Sequence, residues 1–412
     1  MKKISIASLL CVALMSFTCS KTPNGDEPNG GTGNEPGNEP GTETTIESVT
    51  LSSDRNVIKC DGTDAATFSL VANDGTVITE GIEFYDNNMN AVTLQNGKFT
   101  AKSAGEYTIW AAYKTFNSNQ ITIKAINADI PAPAADPKPA ETSFVRRVLL
   151  TQFTGIGCGY CPGMVNWIRH LRADAGIKAQ TVLAAIHSYE GNDPAKLDAP
   201  QPGAFGATHG FPYLNIDMVT GTHYGDDYTD EEMAGMLKDV ILEMIAETPA
   251  TATISANPVF ATDVIPTSNG STTDGYIVTT SIKVSESGNY AVGAWLLEDD
   301  IYGPQTIYSQ YVTVDKTYDY DTHHNCVRTI ESYNGKNYAG YPLGKLQKGS
   351  TANMTFLLKV KKDDPRDPKN NWKKENMHLV VFVTKENDKG KYTVNNVIDC
   401  PVDAVTPFEY AN

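Results

Sequence analysis

The chain has 412 residues, 40% of them hydrophobic and 20% charged, with a formal net charge of −16. That composition supports two or three packed domains and excludes a wholly disordered polypeptide. The acidic balance excludes nucleic acid as a partner and excludes an electrostatic hold on anionic lipid.

Met1 to Cys19 has the three parts of a secretion signal: Lys2 and Lys3, an apolar core from Ile4 to Met15 too short to span a bilayer as a stable helix, and small or neutral residues before a cysteine. Residues 1–18 are therefore expected to be a lipoprotein signal peptide, and Cys19 the lipid-modified first residue of the mature chain. A plain secreted protein is the alternative. Cys11 lies in the signal core and would be lost with it. No later segment approaches a membrane-spanning apolar length, so membrane attachment would come through acyl chains alone. An exported address also means an oxidising compartment. Residues 19–45 contain PNGDEPNGGTGNEPGNEPGTE, with almost no apolar side chain to offset the entropy of ordering, and are expected to be a flexible tether.

Residues 46–126 alternate like a small all-β domain, through Val49–Leu51, Ala66–Val71, Ile82–Phe84, Gly97–Thr100, Tyr107–Tyr113 and Ile121–Ile123. Strands at this spacing, separated by Asn/Asp/Gly turns, predict an immunoglobulin-like sandwich acting as a spacer or adhesion module. Cys60 falls within it with no role assigned. Residues 127–142, rich in Pro and Ala, read as a semi-rigid linker.

From residue 143 to 249 the pattern changes. Val148-Leu149-Leu150 with Phe153 reads as a buried strand, and Gly155 and Gly157 break it. After Cys161, Val165, Ile168, Leu171 and Arg172 fit a helix with Trp167 on its flank. Cys158 and Cys161 are then expected in the first turn of that helix, where free N–H groups and the helix dipole favour a thiolate. Cys158 would be the more exposed, attacking thiolate, and Cys161, a turn inward, the resolving thiol. Strand, C-x-x-C and helix together are the local signature of a thioredoxin-like redox site. Thr181–Ile186 reads as a second strand, followed by a Pro/Gly-rich stretch from Asp193 to Gly206. Pro212, leading straight into the alternating strand that follows it, is awkward unless kept for a special bond, and Phe211–Pro212 is expected to be cis. His209 either raises the thiolate fraction or is a surface histidine. Thr229-Asp-Glu-Glu starts a closing helix with Met233, Met236, Leu237, Val240, Ile241, Met244 and Ile245 on one core-facing side.

Residues 250–412 are β again: Ala252–Val259, Tyr276–Val284, Tyr290–Leu297, Ile307–Val314, Thr355–Val360, His378–Thr384 and Tyr392–Ile398 fit a second sandwich. Cys326, in a Tyr/Asp/His-rich insertion, and Cys400, just past the last strand, can pair in an oxidising compartment. His323, His324 and Cys326 bring ligand types together without a distant fourth partner. Cys158 and Cys161 lack a second pair for zinc, and Asp315, Asp319, Asp321 and Glu331 lack calcium-loop spacing. No metal or other cofactor is expected.

Residues from about Val145 to Glu247 resemble a thioredoxin-like domain, and the Gly159-Tyr160 pair between the cysteines resembles that of the periplasmic disulfide isomerases. The wording FTGIGCGYCPG, the lipoprotein start and the long β-rich tail together are similar to the Bacteroidetes "outer membrane protein, twenty-eight kilodalton" lipoprotein family. The resemblance implies a multidomain chain: N-terminal all-β Ig-like sandwich, central α/β thioredoxin-like domain, C-terminal all-β sandwich. It implies an outer-membrane lipoprotein, on the periplasmic or cell-surface face, with Cys158 and Cys161 exchanging with exported protein thiols or disulfides. Pro212 would pack beside them and shape the substrate groove. Thioredoxins carry Trp before the first cysteine and an acidic residue six positions before it; here those positions are Gly157 and Gln152. The rival expectation is a surface binding or structural lipoprotein that uses an inert thioredoxin-like scaffold.

Overall fold

A computed structural model describes residues 46–189, 192–197, 199–267, 270–361 and 372–411. The expected signal peptide, Cys19 and tether lie outside the described residues. The first strands are β1 (Val49–Ser53), β2 (Val57–Lys59), β3 (Ala65–Ala72), β4 (Val77–Ile78), β5 (Ile82–Asp86), β6 (Lys98–Thr100), β7 (Gly105–Tyr113), β8 (Phe116–Asn117) and β9 (Ile121–Ile126). They form two sheets, one holding β1, β3, β4 and β6 and the other β2, β9, β7, β5 and β8. Their alternation turns Leu51, Leu70, Ile109 and Ile123 into one shared core.

The Pro/Ala stretch that follows is anchored. Asp136 pairs with Lys283 at 2.9 Å, and the Lys138 and Pro139 carbonyls accept from the same ammonium at 3.0 and 2.9 Å. Val57 and Ile126 pack against Ile265, Ile277 and Leu357 of the C-terminal half. A segment that looked like a spacer is thus tied by a buried lysine.

The middle of the chain supplies β10 (Val148–Thr154), α1 (Cys161–Arg172), α2 (Ala175–Ala179), β11 (Thr181–His187), β12 (Tyr213–Ile216), β13 (Thr220–His223) and α3 (Asp230–Glu247). The remainder supplies β14 (Ala252–Pro266), β15 (Thr272–Val284), β16 (Gly288–Glu298), β17 (Ile301–Tyr302), β18 (Thr322–His323), β19 (Cys326–Glu331), β20 (Tyr341–Leu346), β21 (Thr351–Lys359), β22 (Met377–Glu386) and β23 (Tyr392–Pro401). One sheet runs β13-β12-β10-β11-β19-β16-β22-β23, with β20 also on β16. Strands from both sides of residue 249 therefore share it.

Every residue of β10 is buried, because the strand is covered on both faces. Val148 and Leu150 meet Met164, Trp167 and Leu171 of α1 and Leu237 and Ile241 of α3. Leu149 and Phe153 point the other way, into a core with Trp295, Phe382 and Val397. The sheet curls so that β23 returns beside β10: Val394 N–H donates to Asp217 O at 2.9 Å, and Asn396 Nδ2 donates to Val145 O at 2.7 Å. The outer face of β16, β22 and β23 packs on the separate sheet β14-β15-β21, through Val292, Leu296, Val381, Ile282 and Phe356.

Several expectations are corrected. Ile307–Val314 is irregular chain rather than a strand; Tyr308 N–H donates to Gly159 O, and the Tyr311 and Val312 N–H groups donate back to Tyr308 O in a local turn. Cys326 and Cys400 are both buried free thiols. Cys326 starts β19 and Cys400 lies in β23, with β16 and β22 between them, a lateral gap of about 14 Å where a disulfide needs Cα atoms within about 7 Å. Trp167 is 2% exposed and belongs to the core face of α1 rather than its flank. Met236 is 40% exposed on α3 and does not join the core.

The start of α3 is a full capping box, with Thr229 Oγ1 accepting from Glu232 N–H at 3.2 Å and Glu232 Oε2 accepting from Thr229 N–H at 3.0 Å. Thr229→Ala is expected to cost about 1 kcal/mol in urea unfolding, while Met236→Ala should stay within about 0.5 kcal/mol of the parent. Equal losses for the two would contradict this assignment.

Candidate functional site

The site grows from the end of β10. After Thr154 the chain turns through Gly155, Ile156 and Gly157, and Cys158 is bonded to Cys161 in a disulfide. Helix α1 begins at Cys161 with Tyr160 as N-cap, so Cys161 occupies the first turn and Cys158 lies in the turn before it. Cys161 thus lies where expected, and only the placement of Cys158 within the helix is corrected. Pro162 fits the second helical position, where its missing N–H has no intrahelical partner to lose.

Both cysteines are buried, Cys158 3% and Cys161 1% exposed. The expected contrast between an exposed and a sheltered sulfur is absent. The cover comes from residues 303–321, a strap between β17 and β18. Gln305 Nε2 donates to the Ile156 and Cys158 carbonyls at 3.0 and 3.1 Å. Thr306 and Tyr308 N–H groups donate to Ile156 O and Gly159 O at 2.7 and 2.9 Å. Farther along, Asn166 of α1 donates to Thr313 O at 2.7 Å and accepts from Tyr320 OH at 2.7 Å, while Arg169 pairs with Asp315 at 3.1 Å. Asp315, Asp319 and Asp321 are engaged by Arg169, Thr322 and Gln305 N–H in this arrangement.

Tyrosines cluster around Tyr160, between the two cysteines. Tyr160 lies edge-on to Tyr308 at 5.3 Å and tilted against Tyr311 at 5.5 Å, and Tyr224 OH donates to Tyr311 O at 3.1 Å. The approach depends on glycines: a Cβ on Gly159 would lie 2.4 Å from Tyr308 Cγ, and one on Gly163 would lie 2.2 Å from a Tyr224 ring carbon.

Pro212 is buried at the head of β12, one residue before Tyr213 pairs with Phe153. The Phe211–Pro212 bond is cis, as is Ala199–Pro200. His223 Nδ1 lies 3.1 Å from Pro212 O. His209 is exposed, and its ring lies tilted against that of His223 at 5.3 Å. No contact of it with either cysteine is among the described interactions.

Residues that the sequence did not single out hold the turn from below. The Asp193 carboxylate accepts from Ile156 N–H at 2.9 Å and Ala195 N–H at 2.8 Å, and lies 2.8 Å from His187 Nδ1. His187 Nε2 is 3.6 Å from Cys326 Sγ, and the His323 ring stands edge-on to His187 at 4.9 Å. Burial works against a charged His187, but the Cys326 sulfur and the Asp193 carboxylate outweigh it and hold the imidazole up at about 10. Burial also works against the Asp193 anion, yet His187 and the two N–H donors bring it down to about 2. A histidine closing a buried parallel strand was the available signal, since sites gather at the carboxyl ends of such strands.

Beside these groups an open cleft of about 600 Å³ separates α1 from the sheet, with Gln152, Ala185 and His187 on its floor and His323, His324 and Asn325 along one side. Gln152, where the resemblance implies a carboxylate, is buried and its Nε2 has no hydrogen-bond partner. Among the described residues no cluster of three or more His, Cys, Asp or Glu is placed to hold a metal ion, and no helix is long and apolar enough to cross a membrane.

No family model and no curated protein matches the chain. Among solved structures it is similar to HBP35 of Porphyromonas gingivalis, with a TM-score of 0.45 and 18% identity over 65% of this chain and 78% of that one. A second match is to domains 4–9 of the surface-layer protein SbsC, with a TM-score of 0.15 and 9% identity over 87% of this chain and 51% of that one. Neither likeness is high enough to assign a shared fold.

The buried pair has a pH signature. Raised from 6.5 to about 10, His187 contributes stability that is complete below pH 6.5 and is lost as pH rises through 10. Depressed from 3.8 to about 2, Asp193 contributes stability that is present above pH 3.8 and is lost as pH falls through 2. The thermal midpoint of the parent is expected to fall between pH 6.5 and 10. His187→Asn should start lower and show a shallower fall; an unchanged slope would remove the ion pair from the account.

Proposed function

We propose that the chain is an exported, membrane-anchored lipoprotein whose middle segment is a thioredoxin-like unit performing thiol–disulfide exchange on exported protein thiols. The observation that carries this reading is the Cys158–Cys161 disulfide at the start of α1, at the carboxyl end of the fully buried strand β10. Once reduced, Cys158 attacks a substrate disulfide, forming a mixed disulfide and releasing one substrate thiolate. Cys161 then attacks Cys158 Sγ, re-forming the internal disulfide and releasing the second substrate thiolate. The substrate leaves reduced and the protein oxidised, with electrons balanced. Cys161, as first residue of the helix, receives the dipole's support for negative charge. Pro212 borders the same strand end and would shape the groove that a substrate chain enters.

The strap supports a second reading, a surface binding or structural lipoprotein with an inert disulfide, because both sulfurs are covered. Thiol accessibility separates the two. On the exchange reading, mild reductant frees both thiols, Cys158→Ser abolishes exchange and Cys161→Ser traps mixed disulfides. A pair that resists reduction, with a potential below about −300 mV, the range of structural disulfides, would favour the inert scaffold.

Gly159→Ala tests the cover directly. Its Cβ cannot coexist with Tyr308 as placed, so the strap must shift and the disulfide should be reduced faster than in the parent, with the fold retained by circular dichroism. An unchanged reduction rate would mean that the strap does not limit access.

The anchor has its own test. Cys19→Ala should move the protein from the membrane fraction to the soluble one, since acyl chains are the proposed hold. Persistence of the variant in washed membranes would overturn the lipid anchor.

A further inference from the structure

Cys326 lies where two halves of the sheet meet. Gln152 of β10 is in register with Ala185 of β11, and Ala185 is in register with Cys326 of β19. His187, two residues beyond Ala185, sets Nε2 3.6 Å from the Cys326 sulfur and Nδ1 2.8 Å from Asp193 Oδ2. Asp193 is itself fixed by two backbone N–H groups, so the carboxylate holds the ring and the ring faces the sulfur. This is the order of acid, imidazole and nucleophile found in activated thiol sites. A buried cysteine kept only for packing needs no such partner.

The surroundings leave that imidazole to the sulfur. Glu298 and Arg328, the nearest charged pair on β16 and β19, neutralise each other at 2.7 Å. His323 is occupied with Gly303 O at 2.9 Å, and His324 with Asp300 at 3.3 Å. The cleft reaches His187, Ala185 and Asn325, one side chain away from the sulfur, and the unpartnered Gln152 Nε2 lies on the same floor. Cys326 itself has no exposed surface, so only a very small reactant can reach it through the cleft.

We propose that Cys326, His187 and Asp193 form a second thiol site, chemically independent of the Cys158–Cys161 pair, in which Cys326 reduces a small hydroperoxide. As the sulfur attacks, the thiol proton passes to His187 Nε2, 3.6 Å away. The sulfur attacks one peroxide oxygen, forming an S–O bond and breaking the O–O bond. The departing hydroxide or alkoxide takes the proton from His187 and leaves as water or alcohol. Sulfur loses the two electrons that the peroxide gains, and Cys326 ends as a sulfenic acid, one equivalent per chain. The Gln152 amide is placed to hold the peroxide by a hydrogen bond.

The molecule contains its own control. Cys400 is equally buried, but no imidazole faces it and burial pushes its thiol up to about 12. The experiment treats the full protein, with the Cys158–Cys161 disulfide intact, with substoichiometric hydrogen peroxide at neutral pH. The reaction is stopped in denaturant containing dimedone, so that a sulfenic acid formed in the folded protein is trapped on unfolding and mapped by mass spectrometry. Cys326 is expected to be trapped at least about tenfold faster than Cys400, and His187→Asn is expected to remove most of that advantage while Cys60 labelling stays constant. Should His187→Asn misfold, the parent and Cys326→Ser are compared by peroxide consumption with the disulfide intact, where the parent is expected to consume up to about one equivalent more. Trapping of Cys326 no faster than Cys400, or identical peroxide consumption by the parent and Cys326→Ser, overturns the proposal.

Discussion

The structure depends on one narrow junction. Strands β11 and β19 meet through a single registered pair, Ala185 with Cys326, reinforced by Ala185 N–H donating to Asn325 O at 2.8 Å. That contact makes one sheet out of strands that lie more than a hundred residues apart in sequence. It brings the C-terminal half to the carboxyl end of β10 and β11, where the cysteine turn leaves the sheet. The strap that covers the disulfide and the thiol that faces His187 both arrive by this route.

Buried charge marks the places where segments join. Arg146 meets Asp217, whose other oxygen accepts from Leu149 N–H at 2.7 Å, fixing the start of β10 against the end of β12. Arg328 meets Glu298 and also donates to Pro194 O at 2.7 Å, tying β19 to the loop after β11. His187 and Asp193 fix that same loop to the cysteine turn. Such pairs add little net stability compared with apolar packing, but losing one partner strands the other at a cost of about 3–5 kcal/mol. Their effect is to penalise misdocking, which suits joints between segments distant in sequence.

Much of this was legible in the sequence, because the signals were local. The apolar run Val148-Leu149-Leu150 with Phe153 gave β10, the capping box gave the start of α3, and period-2 alternation gave most strands of the first two sheets. The misreadings share a non-local cause. Ile307–Val314 alternates like a strand, yet Thr306 and Tyr308 find their acceptors on Ile156 and Gly159, about 150 residues earlier. Trp167 fits either edge of a helical stripe until α3 and Tyr224 arrive to cover it; its ring lies 4.8 Å from that of Tyr224. The pairing of Cys326 with Cys400 rested on compartment alone, and strand order, which sequence does not state, separates them. His187 was passed over because its partners, Asp193 and Cys326, share no spacing rule with it.

The strap sets the terms on which the proposed exchange can proceed. Its hold on the cysteine turn is made of neutral backbone and amide hydrogen bonds and half-exposed tyrosines, each worth about 0.5–1.5 kcal/mol net, rather than of a packed aliphatic core. Segments of that kind open locally well below the global unfolding free energy. If exchange requires the open form, every 1.4 kcal/mol by which closure is favoured lowers the observed rate about tenfold without altering the chemistry of either sulfur. A partner that binds the exposed Tyr302, Tyr308 and Tyr311 side chains would favour the open form by its preference for it. Access to Cys158 would then be governed by recognition at the strap, and because Gln305, Tyr318 and Tyr320 of the strap also line the cleft beside His187, the same opening would widen the path toward Cys326.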